Sequence, residues 1–278
     1  MATKVQISFE VYPPRNQDGT AVLQEAIKKL GNLGASFISV TFGAAGSETK
    51  NSLEVLRFIQ QNTTATPLAH LTCVGTNVQE ATGLVEEFRA AGIHDFLALR
   101  GDLPQNGVLP SGALERADQL VSLIAQSRQK GQIAVAAFPN GHPESQDSRR
   151  DIDALLAKQA AGADFAITQL FFYASDYFQF LEVARSRGVT IPIIPGIMPI
   201  ISLKRLHRVL ELTGEKEPSE LALALASEDP SMAKSAGIEF AAKLVSDLVA
   251  GGVQAVHLYA FNEHKNVTEV LRRAKIVS

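Results

Sequence analysis

Short runs of apolar and β-branched residues recur along the chain at 5–11, 37–42, 67–71, 96–99, 133–137, 165–171, 191–197 and 255–259. Their length and near-continuous hydrophobicity suit parallel strands covered on both faces. Between them, apolar residues fall at three- and four-residue spacing, as at 21–33, 79–91, 114–129 and 152–161, which predicts amphipathic helices. Strand and helix alternate throughout. Gly34, Gly92, Gly162, Gly188 and Gly252 stand where helices give way to strands and suit left-handed caps. Eight βα units without a break in composition predict an α/β fold, a (β/α)8 TIM barrel forming a single domain over 1–278. A doubly wound open sheet is the alternative. Neither G-x-G-x-x-G after a strand nor G-x-x-x-x-G-K-[ST] occurs to support it. Between Pro218 and Pro230 a short Leu/Ala-rich segment departs from the alternation and predicts an extra surface helix in the seventh connection.

Composition narrows the partners. The chain of 278 residues is 46% hydrophobic and 20% charged with a formal net charge of -3, so no single-sign field invites nucleic acid or an anionic membrane. The one cysteine, Cys73, forms no internal disulfide and suits a reducing compartment. The N-terminus runs into a strand without an apolar signal core, and no stretch reaches transmembrane length, so a cytoplasmic protein is expected. From the length, no second regulatory domain is expected.

Barrels of this kind build their sites at the C-terminal strand ends, and polar residues collect there. Glu10 closes the first apolar run, Thr41 the second, His70 and Thr72 the third, and Arg100-Gly101-Asp102 the fourth; His142 follows the fifth, Gln169 interrupts the sixth, and Tyr259 and Asn262 close the eighth. A carboxylate inside a strand-like run is the most informative of them. Burial would raise its pKa and suit it to acid catalysis near neutral pH. The plainer alternative is a strand-end Glu10 in solvent or paired with Arg15. Glu10 and Asp102 facing one mouth would acquire separated pKa values. His70 and His142 lack metal-ligand spacing, so no metal is expected. Cys73 lies three residues beyond His70, on the opposite face of a strand, and reads as a buried structural thiol rather than a nucleophile.

Ser8-Phe9-Glu10-Val11-Tyr12-Pro13-Pro14-Arg15, Val40-Thr41-Phe42-Gly43-Ala44, His70-Leu71-Thr72-Cys73, Leu97-Ala98-Leu99-Arg100-Gly101-Asp102-Leu103-Pro104, Phe138-Pro139 with His142-Pro143-Glu144, Thr168-Gln169-Leu170-Phe171-Phe172, Ile194-Pro195-Gly196-Ile197-Met198-Pro199 and Leu258-Tyr259-Ala260-Phe261-Asn262 together resemble the flavin-dependent 5,10-methylenetetrahydrofolate reductases. The resemblance implies a (β/α)8 barrel binding FAD, which reduces methylenetetrahydrofolate to methyltetrahydrofolate for methionine synthesis. It implies NAD(P)H as donor and ping-pong kinetics at one site. Glu10 matches the general acid, and Asp102 the carboxylate between flavin and pterin. Gln169 and Tyr259 match folate contacts. Thr41, His70, Leu99, Arg100, Gly101, Asp102, Ala117, Phe138, His142, Asp151 and Lys158 match positions around the flavin, the last of these otherwise reading with Asp151 as a solvated helix face.

Four departures stand out. Glu263 replaces an arginine that would steady the folate, Arg205 and Val209 replace a glutamine and an aromatic, and Phe138 lacks a hydroxyl. Arg205 would receive either the folate's glutamate tail or a 2'-phosphate. The resemblance also admits oxidation of methyltetrahydrofolate, a donor other than a nicotinamide, a non-catalytic flavin-binding subunit of a complex, and a homo-oligomer.

Overall fold

The computed structural model describes residues 5–14, 16–41, 46–102, 109, 111–127, 130–143, 145 and 148–278, with only the backbone at 17, 46–49 and 148. Arg15, Phe42, Gly43, Ala44, Leu103, Pro104 and Glu144 of the motifs above, and the Arg15 pairing considered for Glu10, lie outside the described residues. The elements run β1 (Gln6–Val11), α1 (Gln17–Asn32), β2 (Phe37–Val40), α2 (Gly46–Asn62), β3 (Thr66–Thr72), α3 (Val78–Ala90), β4 (Asp95–Leu99), α4 (Ala117–Gln126), β5 (Ile133–Ala137), α5 (Ser148–Ala160), β6 (Phe165–Thr168), α6 (Ala174–Ser186), β7 (Ile193–Ile194), β8 (Gly196–Ile197), α7 (Leu203–Thr213), α8 (Ser219–Leu225), α9 (Pro230–Ala250), β9 (Ala255–Tyr259) and α10 (His264–Arg273).

All strand pairings are parallel, in the order β7-β6-β5-β4-β3-β2-β1-β9-β8. The two ends of that order, β7 and β8, are consecutive in the chain, so the sheet closes on itself as a (β/α)8 barrel. The seventh strand, expected as one run, is two short pieces on either side of Pro195. Pro195 has no N–H to give a ladder, but its carbonyl accepts from His257 N at 2.9 Å. The first piece pairs with β6 and the second with β9. Strand β6 is also shorter than expected and stops at Thr168, so Gln169 follows the strand instead of interrupting it.

Register sorts the side chains into two layers, because residues paired across parallel strands face the same side. Leu68, Leu97, Ala134, Phe165 and Ile167, with Phe37, Leu99 and Ile194, fill the barrel interior. The alternate positions, among them Phe9, Val11, Ile38, Leu71, Phe96, Val135 and Leu258, point outward against the helices in the larger core. This explains why the strands read as continuous hydrophobic runs. The five glycines expected after helices all have left-handed φ, between 84° and 113°, a region costly for a residue with a Cβ. A third cluster, Leu170, Phe172, Ile200, Leu206, Val209, Leu221, Leu225 and Ala233, joins α7, α8 and α9 beside the barrel mouth. The extra helix is therefore not a bare surface insertion, since Leu221 and Leu225 are buried. Among the described residues no helix is long and apolar enough to cross a membrane.

Candidate active site

Glu10 pairs in register with Ser39 of β2 and Tyr259 of β9, which turns its side chain inward at the C-terminal mouth. Its Oε2 lies 3.4 Å from Nε2 of His70 on β3, with side-chain exposures of 22% for Glu10 and 6% for His70. Burial raises the Glu10 carboxyl to about 8 and lowers the His70 imidazole to about 3. Both groups are therefore neutral at pH 7, and their approach is not an ion pair. A protonated carboxyl faces a neutral ring nitrogen that has no hydrogen-bond partner among the described residues.

Tyr259 donates its hydroxyl to Thr168 O at 2.7 Å, tying β9 to β6 across the split seventh strand. Burial, with the charge of Glu10, raises its phenol well above the usual range. Beneath it lies His257, stacked on Phe37 with ring centroids 5.5 Å apart. Ser8 donates to Val256 O at 3.3 Å and sits 2.9 Å from His257 Nδ1. That arrangement assigns the His257 proton to Nδ1, where it donates to the serine oxygen, and leaves Nε2 as a buried acceptor. Burial, then proximity to His70, lowers this imidazole to about 3.

A second group forms around β4 and β5. Arg100 O accepts from Cys73 N at 3.2 Å and from Val74 N at 2.8 Å, while Arg100 Nε donates to Gly101 O at 3.2 Å. Gly101 has φ of 85°, and a Cβ there would lie 3.0 Å from Thr72 Cβ. Asp102 next to it is exposed at the rim. Cys73 is buried, its Sγ 3.4 Å from Arg100 O, and burial pushes the thiol up to about 11. It is the inert structural thiol the sequence suggested. Thr41 donates its N–H to Val11 O at 3.0 Å, and Leu99 is half-buried on the interior side of β4.

From α5, Lys158 reaches inward and donates to Ala136 O at 2.9 Å, its Nζ 6.0 Å from the Phe138 ring centroid. Burial lowers the ammonium to about 8, against the charge of Asp151, and Asp118 and Arg100 also act on it. Asp151 accepts from His142 N at 3.2 Å, and the His142 ring meets Phe138 edge-on at 4.7 Å. Phe138, His142, Asp151 and Lys158 therefore form one structure, and the solvated-face alternative for Asp151 and Lys158 does not hold. Ala117 is buried at the start of α4. Gln169, just past β6, turns its Oε1 back to accept from Leu170 N at 2.9 Å, leaving its NH2 as the group to offer a ligand.

The third group closes the rim between β1 and β9. Asn262 donates to Tyr12 O at 2.7 Å and accepts from Tyr12 N at 2.8 Å. Phe261 and Asn262 hold φ of 51° and 58°, conformations non-glycine residues adopt at a cost. The double hydrogen bond sustains them. Asn262→Ala removes both bonds and keeps the unfavourable φ, so it is expected to destabilise the fold by about 2–3 kcal/mol. Asn262→Gly relieves the backbone and should cost less, which thermal denaturation of the two variants would show. Glu263 accepts from Asn266 Nδ2 at 2.8 Å and lies 4.0 Å from Lys234. Val209 is buried in the α7–α9 cluster, and Arg205 Cζ stands 4.5 Å from the Phe261 ring centroid.

The family model described as methylenetetrahydrofolate reductase matches residues 1–275. The chain belongs to the methylenetetrahydrofolate reductase family. A 5,10-methylenetetrahydrofolate reductase of Pectobacterium carotovorum is 33% identical over 261 residues, covering 93% of this chain and 86% of the relative. "Methylenetetrahydrofolate reductase (NADH) 1" of Arabidopsis thaliana is 32% identical over 285 residues, and this chain spans 48% of its length. A solved structure of an uncharacterized Clostridium thermocellum protein that binds two copies of 5-methyl-5,6,7,8-tetrahydrofolic acid matches with a TM-score of 0.67 at 13% identity, covering 98% of this chain and 94% of its own. At that identity the likeness shows the barrel alone.

Membership in the reductase family gives the three groups a common setting, an oxidoreductase whose mouth carries an acid, a cationic flank and an aromatic rim. Sequence reasoning missed Ser8 and His257, which build the floor under Glu10. The signal was available in the alternation of Ser8 and Glu10 with Phe9 and Val11, since polar residues on the inward parity of a closed barrel line its axis. It also missed Asn140, which donates to Glu215 at 2.8 Å and links the β5 loop to the α7–α8 connection. No local pattern marks a contact of that separation.

Proposed function

We propose that this protein is a flavin-dependent enzyme that reduces 5,10-methylenetetrahydrofolate to 5-methyltetrahydrofolate, with NAD(P)H as donor, in a reducing cytoplasmic setting. The observation that carries this reading is Glu10, held protonated near neutral pH by burial and turned into the mouth of the barrel. The residues suit FAD: Lys158 and Arg100 supply cations for a pyrophosphate, Gly101 keeps Cβ bulk away from Thr72, and the buried His70 Nε2 has no hydrogen-bond partner among the described residues. When bound, the flavin would supply hydride transfer, serving donor and folate in turn.

The protein's own part is acid catalysis and orientation. Glu10 gives its proton to the folate ring nitrogen whose bond to the bridging carbon breaks, and the five-membered ring opens to an iminium. His70, already neutral, puts no positive charge beside Glu10 that would hold the carboxylate ionised. Asp102 offers a negative charge to the cation, and the free amide NH2 of Gln169 a donor to the pterin edge. Tyr259 and Phe261 give apolar surface along the route out. The test is the anaerobic absorption spectrum. The expected result is a yellow protein that bleaches with NADH or NADPH and regains its colour with methylenetetrahydrofolate. A colourless protein that FAD cannot reconstitute would overturn the reading, and a yellow protein that neither nucleotide bleaches would remove the nicotinamide donor from it.

A further inference from the structure

We propose that Asn140 and Glu215 are positioning residues that clasp the loop after β5 to helix α7, so that flavin and folate strengthen one another's binding. This rests on the flavin and folate reading above. Asn140 Nδ2 donates to Glu215 Oε2 at 2.8 Å and lies 3.5 Å from Asp176 Oδ2 on α6. The two partners are 75 residues apart in sequence, so only closure of the barrel brings them together. Burial raises the Glu215 carboxyl, the bond from Asn140 lowers it, and the charge of Asp176 raises it again. The amide thus satisfies a half-buried carboxylate that has a like charge nearby.

Each end of the bond is tied to one side of the site. Asn140 stands between Phe138 and His142, whose rings meet edge-on at 4.7 Å. Gly141 N closes the turn on Phe138 O at 3.2 Å, His142 N donates to Asp151 at 3.2 Å, and Lys158 Nζ lies 6.0 Å from the Phe138 ring centroid. These are the positions read above as surrounding the flavin. Glu215 follows Gly214, the left-handed C-cap of α7, and donates its N–H to Thr213 Oγ1 at 3.3 Å. Thr213 in turn donates to Val209 O at 2.8 Å, so a pull on Glu215 acts on the last turn of the helix.

Helix α7 carries the link onward. Its 11 residues span about 16 Å, ending at Gly214, where a Cβ would lie 4.0 Å from Pro143 Cβ in the loop after β5. Its buried face, Leu206 and Val209, packs in one cluster with Leu170, Phe172 and Tyr259. Leu170 N is the donor that holds the Gln169 Oε1. Gln169 and Tyr259, both read as folate contacts, therefore rest on that cluster. A close-packed cluster transmits a displacement of the helix instead of absorbing it. Ordering the β5 loop on flavin thus steadies α7 beside the folate contacts, and by linkage folate steadies the loop on flavin to the same degree.

The experiment is the equilibrium dissociation of FAD on serial dilution of the holoprotein, read by the fluorescence of released flavin, without and with saturating tetrahydrofolate under anaerobic conditions. Tetrahydrofolate carries no one-carbon unit and so leaves the flavin oxidised. In wild type it is expected to tighten FAD binding by about 5-fold or more. Asn140→Asp keeps the shape but sets a third carboxylate in place of the donor, and should lose most of that tightening. Glu215→Gln keeps an acceptor and should retain part of it. Asn140→Asp combined with Glu215→Gln reverses donor and acceptor and should restore the tightening. A role in packing alone would leave the combined variant at least as impaired as Asn140→Asp, and that result would overturn the proposal. So would full tightening in Asn140→Asp, which would assign the coupling to direct contact of folate with flavin. Binding of tetrahydrofolate is measured on the same holoprotein by the change in flavin absorbance. A wild type that binds no tetrahydrofolate would sink the folate reading itself, whereas binding that leaves FAD affinity unchanged would sink only the clasp.

Discussion

Glu10→Gln is expected to slow reoxidation of the flavin by methylenetetrahydrofolate by about 10²- to 10⁴-fold, the usual worth of a positioned general acid. Flavin bleaching by the donor should be affected far less, because no proton passes from Glu10 in that half. Stopped-flow absorbance resolves the two halves separately. Equal loss in both would remove Glu10 from its role, since an amide of the same shape changes only the proton. The same variant carries a stability signature. The folded carboxyl titrates near 8 against an ordinary value of 4.5, so between those pH values the folded state holds a proton that the unfolded chain has released. Stability contributed by the neutral form is thus full at low pH and lost as pH rises through about 8. Glu10→Gln never acquires the charge. It should match wild type near pH 4 and exceed it above pH 8 by up to about 3 kcal/mol, a figure discounted for the residual exposure of the carboxyl. Melting temperatures that differ by the same amount at both ends would show that Glu10 is not buried neutral.

The largest structural effect is expected at Gly196. A Cβ there would collide with Thr168 O and come within 2.7 Å of the Tyr259 hydroxyl, the two groups whose 2.7 Å hydrogen bond spans β6 and β9. Gly196 N also donates to Thr168 Oγ1 at 2.9 Å. Thr168 O is backbone, and the Tyr259 ring is held in place by its hydroxyl's bond to that same oxygen. Gly196→Ala must therefore open the barrel seam at its split strand, at a cost of about 3 kcal/mol or more. For a chain of this size that lowers the melting temperature by roughly 6–12 °C. Because Tyr259 is paired in register with Glu10, folate affinity should fall with it. Melting data and folate titration on one preparation check both. A variant as stable as wild type would mean that β8 has room which the structure denies it.

The barrel was legible because its physics is local. Strands covered on both faces need continuous apolar runs, each helix stop needs a residue free to adopt positive φ, and both leave marks within ten residues of sequence. Gly34, Gly92, Gly162, Gly188 and Gly252 were all readable for that reason. The list of rim residues was legible too, since strand ends follow from strand positions. Motifs shared with the reductase family named Glu10, His70 and Lys158 without geometry.

What the chain alone did not determine is how those groups act on one another. Pairing of β6 with the first half of the seventh strand, and of β9 with the second, was decided by Pro195 and by the close approach Gly196 permits, a contact between segments far apart in the chain. The neutral state of Glu10 depends on exclusion of water by β1, β3 and β9 together, and sequence carries no term for desolvation by distant neighbours. Helical periodicity by itself would put Lys158 on a solvated face, and its burial follows from the packing of α5 on β5. Sequence fixes which residue types stand at the ends of eight strands, because propensity and periodicity are properties of short segments. Tertiary structure alone fixes which of them are buried, paired or left open, because burial and charge coupling are properties of the closed barrel.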